Sequence, residues 1–225
     1  MGQVFAVSEY IIKYSKDERV RYISHLDFMR TFYRAARRCN LLMSYSGGFN
    51  PHPLMTVAMP LSVGVTSETE YLKIGFCEDY AEGEIKERLN SVFPAGISVI
   101  AVKKLTEKEK DFSKINKVIY FVEAECNDSS LFDCKKFLEN EVLKVMKKTK
   151  SGEKEADIRP YIYELTSKAE EKNKIAFKMC IAAGNDYNLK PETVLAAIEK
   201  YTEGFAISFS CFHREKILAD NKEIL

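Results

Sequence analysis

The chain lacks most of the features by which a sequence of its length declares a chemistry. Its six cysteines (Cys39, Cys77, Cys126, Cys134, Cys180 and Cys211) include no C-x-x-C pair, which argues against a zinc or iron–sulfur centre. Scattered through apolar text, they read as reduced, buried thiols of a reducing compartment. No run approaches the roughly 18 apolar residues of a membrane-spanning helix. The start, Met1–Ala6, has neither the basic nor the apolar region of a signal peptide. The expectation from these absences is a cytoplasmic protein with no membrane partner. Neither G-x-x-x-x-G-K-[ST] nor G-x-G-x-x-G is present, so no nucleotide loop of those kinds is expected. No ligand spacing or cofactor motif stands out, and no cofactor is expected. Net charge is only +1, so the molecule as a whole is not a general polyanion binder.

What is present is concentrated near the amino terminus. Six of the nine arginines lie between Arg19 and Arg38, and two of the three histidines, His25 and His52, fall close by. Residues 1–60 hold eight Lys/Arg against four Asp/Glu, while the remainder holds 26 against 29. Local asymmetry of this kind matters more for a polyanion than net charge does. At 225 residues and 46% apolar content the chain can bury a substantial core.

Hydrophobic periodicity predicts strands over residues 4–14, 54–60, 71–76 and 97–102, with helices over 24–39 and 80–92. The order is β-α-β-β-α-β. The charged, aperiodic segment Thr106–Asp111 is the best linker candidate. The order then repeats, with strands over 117–125, 158–165, 175–181 and 206–212 and helices over 131–148 and 191–201, Pro191 suiting a first turn. The expected fold is α+β: two tandem ferredoxin-like domains with antiparallel sheets, over residues 1–105 and 117–225, joined by a linker over 106–116.

The first predicted helix has a divided surface. His25, Phe28, Met29, Phe32, Ala36 and Cys39 recur at helical spacing and should face a sheet. Ser24 is a good N-cap, with Asp27 three residues on as in a capping box. Arg30, Arg34, Arg37 and Arg38 fall on the opposite side. A solvated face is the plain account of such a run. Four arginines with only Asp27 to offset them repel one another, however, and arginine suits bidentate contact with phosphate or carboxylate. In the loop Ser46-Gly47-Gly48-Phe49-Asn50-Pro51-His52-Pro53, the glycines permit positive φ and open amides, and the prolines stiffen the segment around His52. It is either an elaborate turn or a pre-organised pocket in which Gly48, Asn50 and His52 adjoin the arginines. Arg159, with Tyr161 and Tyr163 on one strand face, suits base stacking or an interface. His25 and His52 would serve as base and acid only if the protein were a metal-independent ribonuclease. A third reading is a protein-interaction adaptor whose arginine stripe meets an acidic partner.

The strings Arg21-Tyr22-Ile23-Ser24-His25-Leu26-Asp27 and Gly48-Phe49-Asn50-Pro51-His52-Pro53, with the later Asp157-Ile158-Arg159-Pro160-Tyr161 and Leu189-Lys190-Pro191-Glu192-Thr193-Val194-Leu195, resemble the radical-SAM-linked protein family. That bacterial family, of undefined function, is fused to or encoded beside a radical S-adenosylmethionine enzyme. Gly47 stands where the family pattern has glutamine or a similar residue. The chain has no C-x-x-x-C-x-x-C motif, so it resembles the stand-alone linked protein. The resemblance implies an accessory role toward a radical SAM enzyme as partner. The tandem fold is also similar to the repeat-associated RNA-processing proteins of CRISPR systems. The expectation is an accessory protein that binds RNA, or an RNA-containing particle, through the first helix and its loop.

Overall fold

The computed structural model describes residues 8–106, 112–149 and 152–225. It is a mixed α+β chain with antiparallel strands and, among the described residues, four α-helices. The chain divides into two compact units, residues 1–112 with 225, and 113–224. The segment that reads as a linker falls in part on residues 107–111, outside the described residues. No described helix is long and apolar enough to cross a membrane.

In the first unit the elements are β1 (Ser8–Lys16), α1 (His25–Arg38), β2 (Met55–Val57), β3 (Val65–Phe76), α2 (Glu82–Val92) and β4 (Ile97–Lys104). The strands lie in the order β4-β1-β3, with β2 beyond β3, all antiparallel. Alternation along β1 sends Tyr10, Ile12 and Tyr14 to one face, where they meet Phe28, Phe32, Ala35 and Ala36 of α1 and Ile85 and Leu89 of α2. Tyr14 stacks on Phe28 with ring centroids 4.6 Å apart, and Phe32 meets Phe93 edge-on at 5.3 Å. Each fully buried side chain of this size contributes about 1.5–3 kcal/mol, so one face of α1 is firmly held. The predicted inward face contained Phe28, Phe32 and Ala36; Ala35 joins them, and Met29 and Cys39 are half-buried against the cluster.

The second unit contains β5 (Ile115–Cys126), α3 (Cys134–Leu138), β6 (Lys144–Thr149), β7 (Gly152–Asp157), β8 (Ile162–Glu171), β9 (Lys174–Ala182), α4 (Pro191–Tyr201), β10 (Ile207–Ala219) and β11 (Lys222–Glu223). Its strands run β10-β5-β9-β8, with β11 on β10 and β6 paired to β7 as a separate hairpin.

Two expectations are corrected here. The helix expected over 131–148 ends after five residues, at Leu138. Asn140 stops it by donating its side-chain amide to the Phe137 carbonyl at 2.9 Å. Beyond it Leu143 and Val145 are buried and Met146 is exposed, which is the alternation of a strand. The strand expected from Ile158 begins only at Ile162, because Arg159–Tyr161 form a 3-10 turn. Asp157 Oδ1 accepts the amide of Arg159 at 3.0 Å, and Pro160 fixes the turn's backbone. All six cysteines are free, Cys126 and Cys180 buried and the other four half-buried.

Candidate nucleic-acid interface

Local chemistry defines both ends of α1. At its start the Ser24 hydroxyl accepts the amide of Asp27 at 3.2 Å and donates to the Asp27 carboxylate at 2.7 Å. That bond, and the Arg30 guanidinium 3.1 Å away, hold the Asp27 carboxyl below its usual range. At its end Asn40 adopts a left-handed conformation, φ 57°. The amide of Leu41 then reaches the Ala36 carbonyl at 2.9 Å and that of Asn40 the Arg37 carbonyl at 3.3 Å. This pair of bonds closes the helix in a Schellman turn, with asparagine in the glycine position and buried Leu41 as its apolar partner.

The four arginines of the stripe are all exposed, but they are not equivalent. Arg30 pairs with Asp27. Arg34 faces solvent, with the Asp27 carboxylate within electrostatic reach. Arg37 donates to the Tyr33 hydroxyl at 3.1 Å and lies over the Tyr33 ring. Arg38 donates to the Val92 carbonyl at the end of α2 and so ties the two helices together.

The chain leaving α1 is anchored to β3. Met43 bridges Phe76, the Ser44 amide donates to the Gly75 carbonyl at 2.8 Å, and the Cys77 amide donates to the Leu42 carbonyl at 2.8 Å. Tyr45 donates its hydroxyl to that of Tyr33 at 3.1 Å. Accepting from Tyr45 and then from Arg37 holds the Tyr33 phenol below its ordinary range, and donating to Tyr33 raises that of Tyr45. Beside this trio opens a cavity of about 420 Å³ lined by Arg37, Tyr45, Leu42, Asn40 and Glu78, with Leu41 and Met43 as buried lining residues.

Beyond Tyr45 the loop closes on itself. The Ser46 amide donates to the His52 carbonyl at 2.9 Å, and the Ser46 hydroxyl accepts the His52 amide at 3.1 Å. The same hydroxyl lies 2.8 Å from His52 Nδ1. Which of the two donates in that contact follows the tautomer of the ring. Gly48, at φ +106°, lets the tip reverse. Gly47, Gly48, Phe49 and Asn50 are exposed there, Phe49 completely.

The remaining candidates lie elsewhere. His25 lines a constricted pocket of about 10 Å³ with Lys16 and Glu70, and His52 is not among its walls. Space on that scale holds no more than a water molecule. Buried Lys16 donates to the carbonyls of Arg21 and Ile23, each at 3.0 Å, and so fixes the approach to α1. Burial pushes its ammonium pKa down, opposed by Glu70. Arg159, in the second unit, directs Nε and Nη2 at the Leu138 carbonyl (3.2 and 3.1 Å) and Nη1 at that of Ile162 (3.3 Å). Tyr161 stacks on Tyr187, and only Tyr163 of that trio is exposed. The sequence reading missed Tyr33, Tyr45, Asn40 and Glu78. Tyr33, four residues before Arg37 and thus on its face, was the available signal.

Comparison with other proteins adds the following. No curated protein matches the chain. A solved structure described as "Crystal Structure of a Cbf5-Nop10-Gar1 Complex" is similar at 8% identity and a TM-score of 0.50, over 92% of this chain and 48% of that one. This chain thus spans about half of that chain's length, and the likeness is one of fold alone. Another, "Crystal Structure of an Unknown Protein from Galdieria sulphuraria", is 10% identical over 93% of this chain and 99% of that one, with a TM-score of 0.27. A family model described as "Uncharacterized protein conserved in bacteria (DUF2344)" matches residues 9–191, and the chain belongs to that family.

Proposed function

We propose that the protein binds RNA, or an RNA-containing particle, through α1 and the loop that follows, as an accessory of a radical S-adenosylmethionine enzyme in the cytoplasm. The observation that carries the RNA half is the outward face of α1. Arg30, Arg34 and Arg37 stand exposed along a helix whose other face is locked into the core; Asp27 pairs with Arg30 and lies within electrostatic reach of Arg34, and Glu78 lines the same cavity as Arg37. Guanidinium groups held on a rigid helix suit phosphate better than flexible ammonium groups do. Exposed Tyr45, joined to Arg37 through Tyr33, and exposed Phe49 on the following loop suit base stacking. The partner half rests on the sequence resemblance alone. We read each unit as ferredoxin-like, the second with a shortened first helix and an inserted hairpin.

Cleavage by His25 and His52 is the weaker reading. His25 lies in a pocket too small for a phosphate, and His52 is engaged by Ser46 on the exposed loop. The direct test is recovery of the protein from cells after ultraviolet crosslinking, with RNA and co-purifying proteins both identified. RNA together with a radical SAM enzyme is the expected outcome. Recovery of no RNA above a control overturns the binding half, and absence of the enzyme overturns the accessory half.

A further inference from the structure

Phosphate binding along α1 leaves the adjoining cavity without a role, and apart from Arg37 at its edge with α1 its walls do not suit phosphate. Its volume of about 420 Å³ lies within the range of roughly 300–1,000 Å³ typical of ligand pockets. Leu41 and Met43 give it an apolar lining, and the bonds of Ser44 and Cys77 to neighbouring backbone hold that lining in place before any ligand arrives. Glu78 also lines it, and a carboxylate there repels an anion. One oxygen of Glu78 accepts the Tyr80 hydroxyl at 3.0 Å, which fixes the side chain and leaves the other oxygen for a ligand donor. The Asn40 amide, on the residue held at positive φ, supplies both a donor and an acceptor. Tyr45, 44% exposed, lines it with its hydroxyl already tied to Tyr33, so its ring is the part left to meet a ligand.

A flat, uncharged ring with an amino group at its edge satisfies all of these walls at once. We propose that the cavity takes one unstacked adenine of the bound RNA, with Tyr45 against the ring, Asn40 and Glu78 at its hydrogen-bonding edge, and the flanking phosphates on Arg34 and Arg37. The proposal rests on the RNA reading of α1. Asparagine pairs well with the N6/N7 edge of adenine, and a carboxylate accepts from an exocyclic amino group. Uracil lacks the exocyclic amino group and could offer Glu78 only its N3–H, with a carbonyl oxygen on either side.

The test is a fluorescence titration of labelled short oligo(A) and oligo(U) against the full chain and its variants at several salt concentrations, with thermal melting to confirm that each variant folds. The wild type is expected to prefer oligo(A) by about tenfold, the scale of one good base pairing by a side chain. Tyr45→Ala should weaken oligo(A) binding on the order of tenfold without changing the salt slope, because a stacked base releases no counterions. Tyr45→Phe should keep the affinity. Glu78→Gln should erase most of the preference between the two RNAs. Equal affinity of the wild type for oligo(A) and oligo(U) overturns the adenine pocket. So does an unchanged Tyr45→Ala protein in which Arg34→Ala still lowers the slope, and that result leaves the arginine reading standing. Adenosine monophosphate competing as well as oligo(A) makes this a free-nucleotide site and also overturns the proposal. Failure of the wild type to bind either RNA removes the underlying reading as well.

Discussion

Between its first and second sheet strands each unit places a different structure. In the first unit the chain forms α1, 14 residues long, and then the anchored loop that walls the cavity. In the second it forms α3, five residues long, and then the β6–β7 hairpin. The arginines divide in the same way. Seven of the nine lie in the first unit. Of the second unit's two, Arg159 caps backbone carbonyls and Arg214 donates to the Tyr120 hydroxyl at 2.9 Å. Similar sheet orders thus support different surfaces. One unit displays Arg30, Arg34 and Arg37 along α1 while Arg21 and Arg38 bond its backbone, and the other uses both of its arginines to hold itself together.

The largest effect expected from breaking this contrast is on the packing of α1. Phe32 is fully buried, so Phe32→Ala should cost about 3–5 kcal/mol of stability in a denaturant titration. A loss below about 1 kcal/mol would mean that α1 is not seated on the sheet as described.

A smaller loss is expected at Tyr10. Its one hydroxyl proton is shared between Asp79, 2.7 Å away, and the Tyr80 carbonyl, 2.8 Å away, and its oxygen accepts the Tyr80 amide at 2.9 Å. Tyr10→Phe leaves those backbone groups without it and should cost about 1–3 kcal/mol. Burial, with the bond to Asp79 next, pushes the phenol up to about 12 from 10.0. The folded state therefore keeps a proton that the unfolded chain has already lost. Tyr10's contribution should be complete below pH 10 and fall away between 10 and 12. A wild-type stability curve parallel to that of Tyr10→Phe across this window would contradict the assignment.

Smaller again is the cap of α1. Ser24→Ala removes the bonds to Asp27 and should cost about 1 kcal/mol. It also frees Asp27 from one of its two partners, so its carboxyl should titrate closer to the ordinary value when followed by NMR.

The elements that were legible in the sequence are those that local chemistry alone decides. Pro191 opens α4 and the helix runs to Tyr201, as the periodicity indicates. Ser24 marks the start of α1 in the same way. The segment 131–148 was not legible because its lysines and apolar residues fit either period, and the buried alternation of Leu143 and Val145 is settled by packing. Half of the candidate site was legible: the arginine stripe and the glycine loop lie in continuous text. The cavity was not, since Glu78 reaches it only through the bridge of Met43 to Phe76 and the pairing of residues 42–44 with 75–77. Tertiary pairing of that kind leaves no local signal.

The smallest expected effect on stability accompanies the most direct test of function. Arg34→Ala with Arg37→Ala should change stability by no more than about 0.5 kcal/mol, as exposed substitutions do. Residues 30 and 37 lie about 10 Å apart along the helix at 1.5 Å per residue, enough to span roughly two phosphates of an extended strand. Removing one arginine from its phosphate should lower the salt slope by about 0.7 for a single strand. A labelled RNA titrated against the wild type and the double variant at several salt concentrations measures this. The account predicts a wild type that binds RNA at low salt and a double variant whose slope is shallower by about 1.4. Coincident slopes, or no RNA binding by either protein at low salt, would contradict it and make the arginine face a solvated or protein-facing surface.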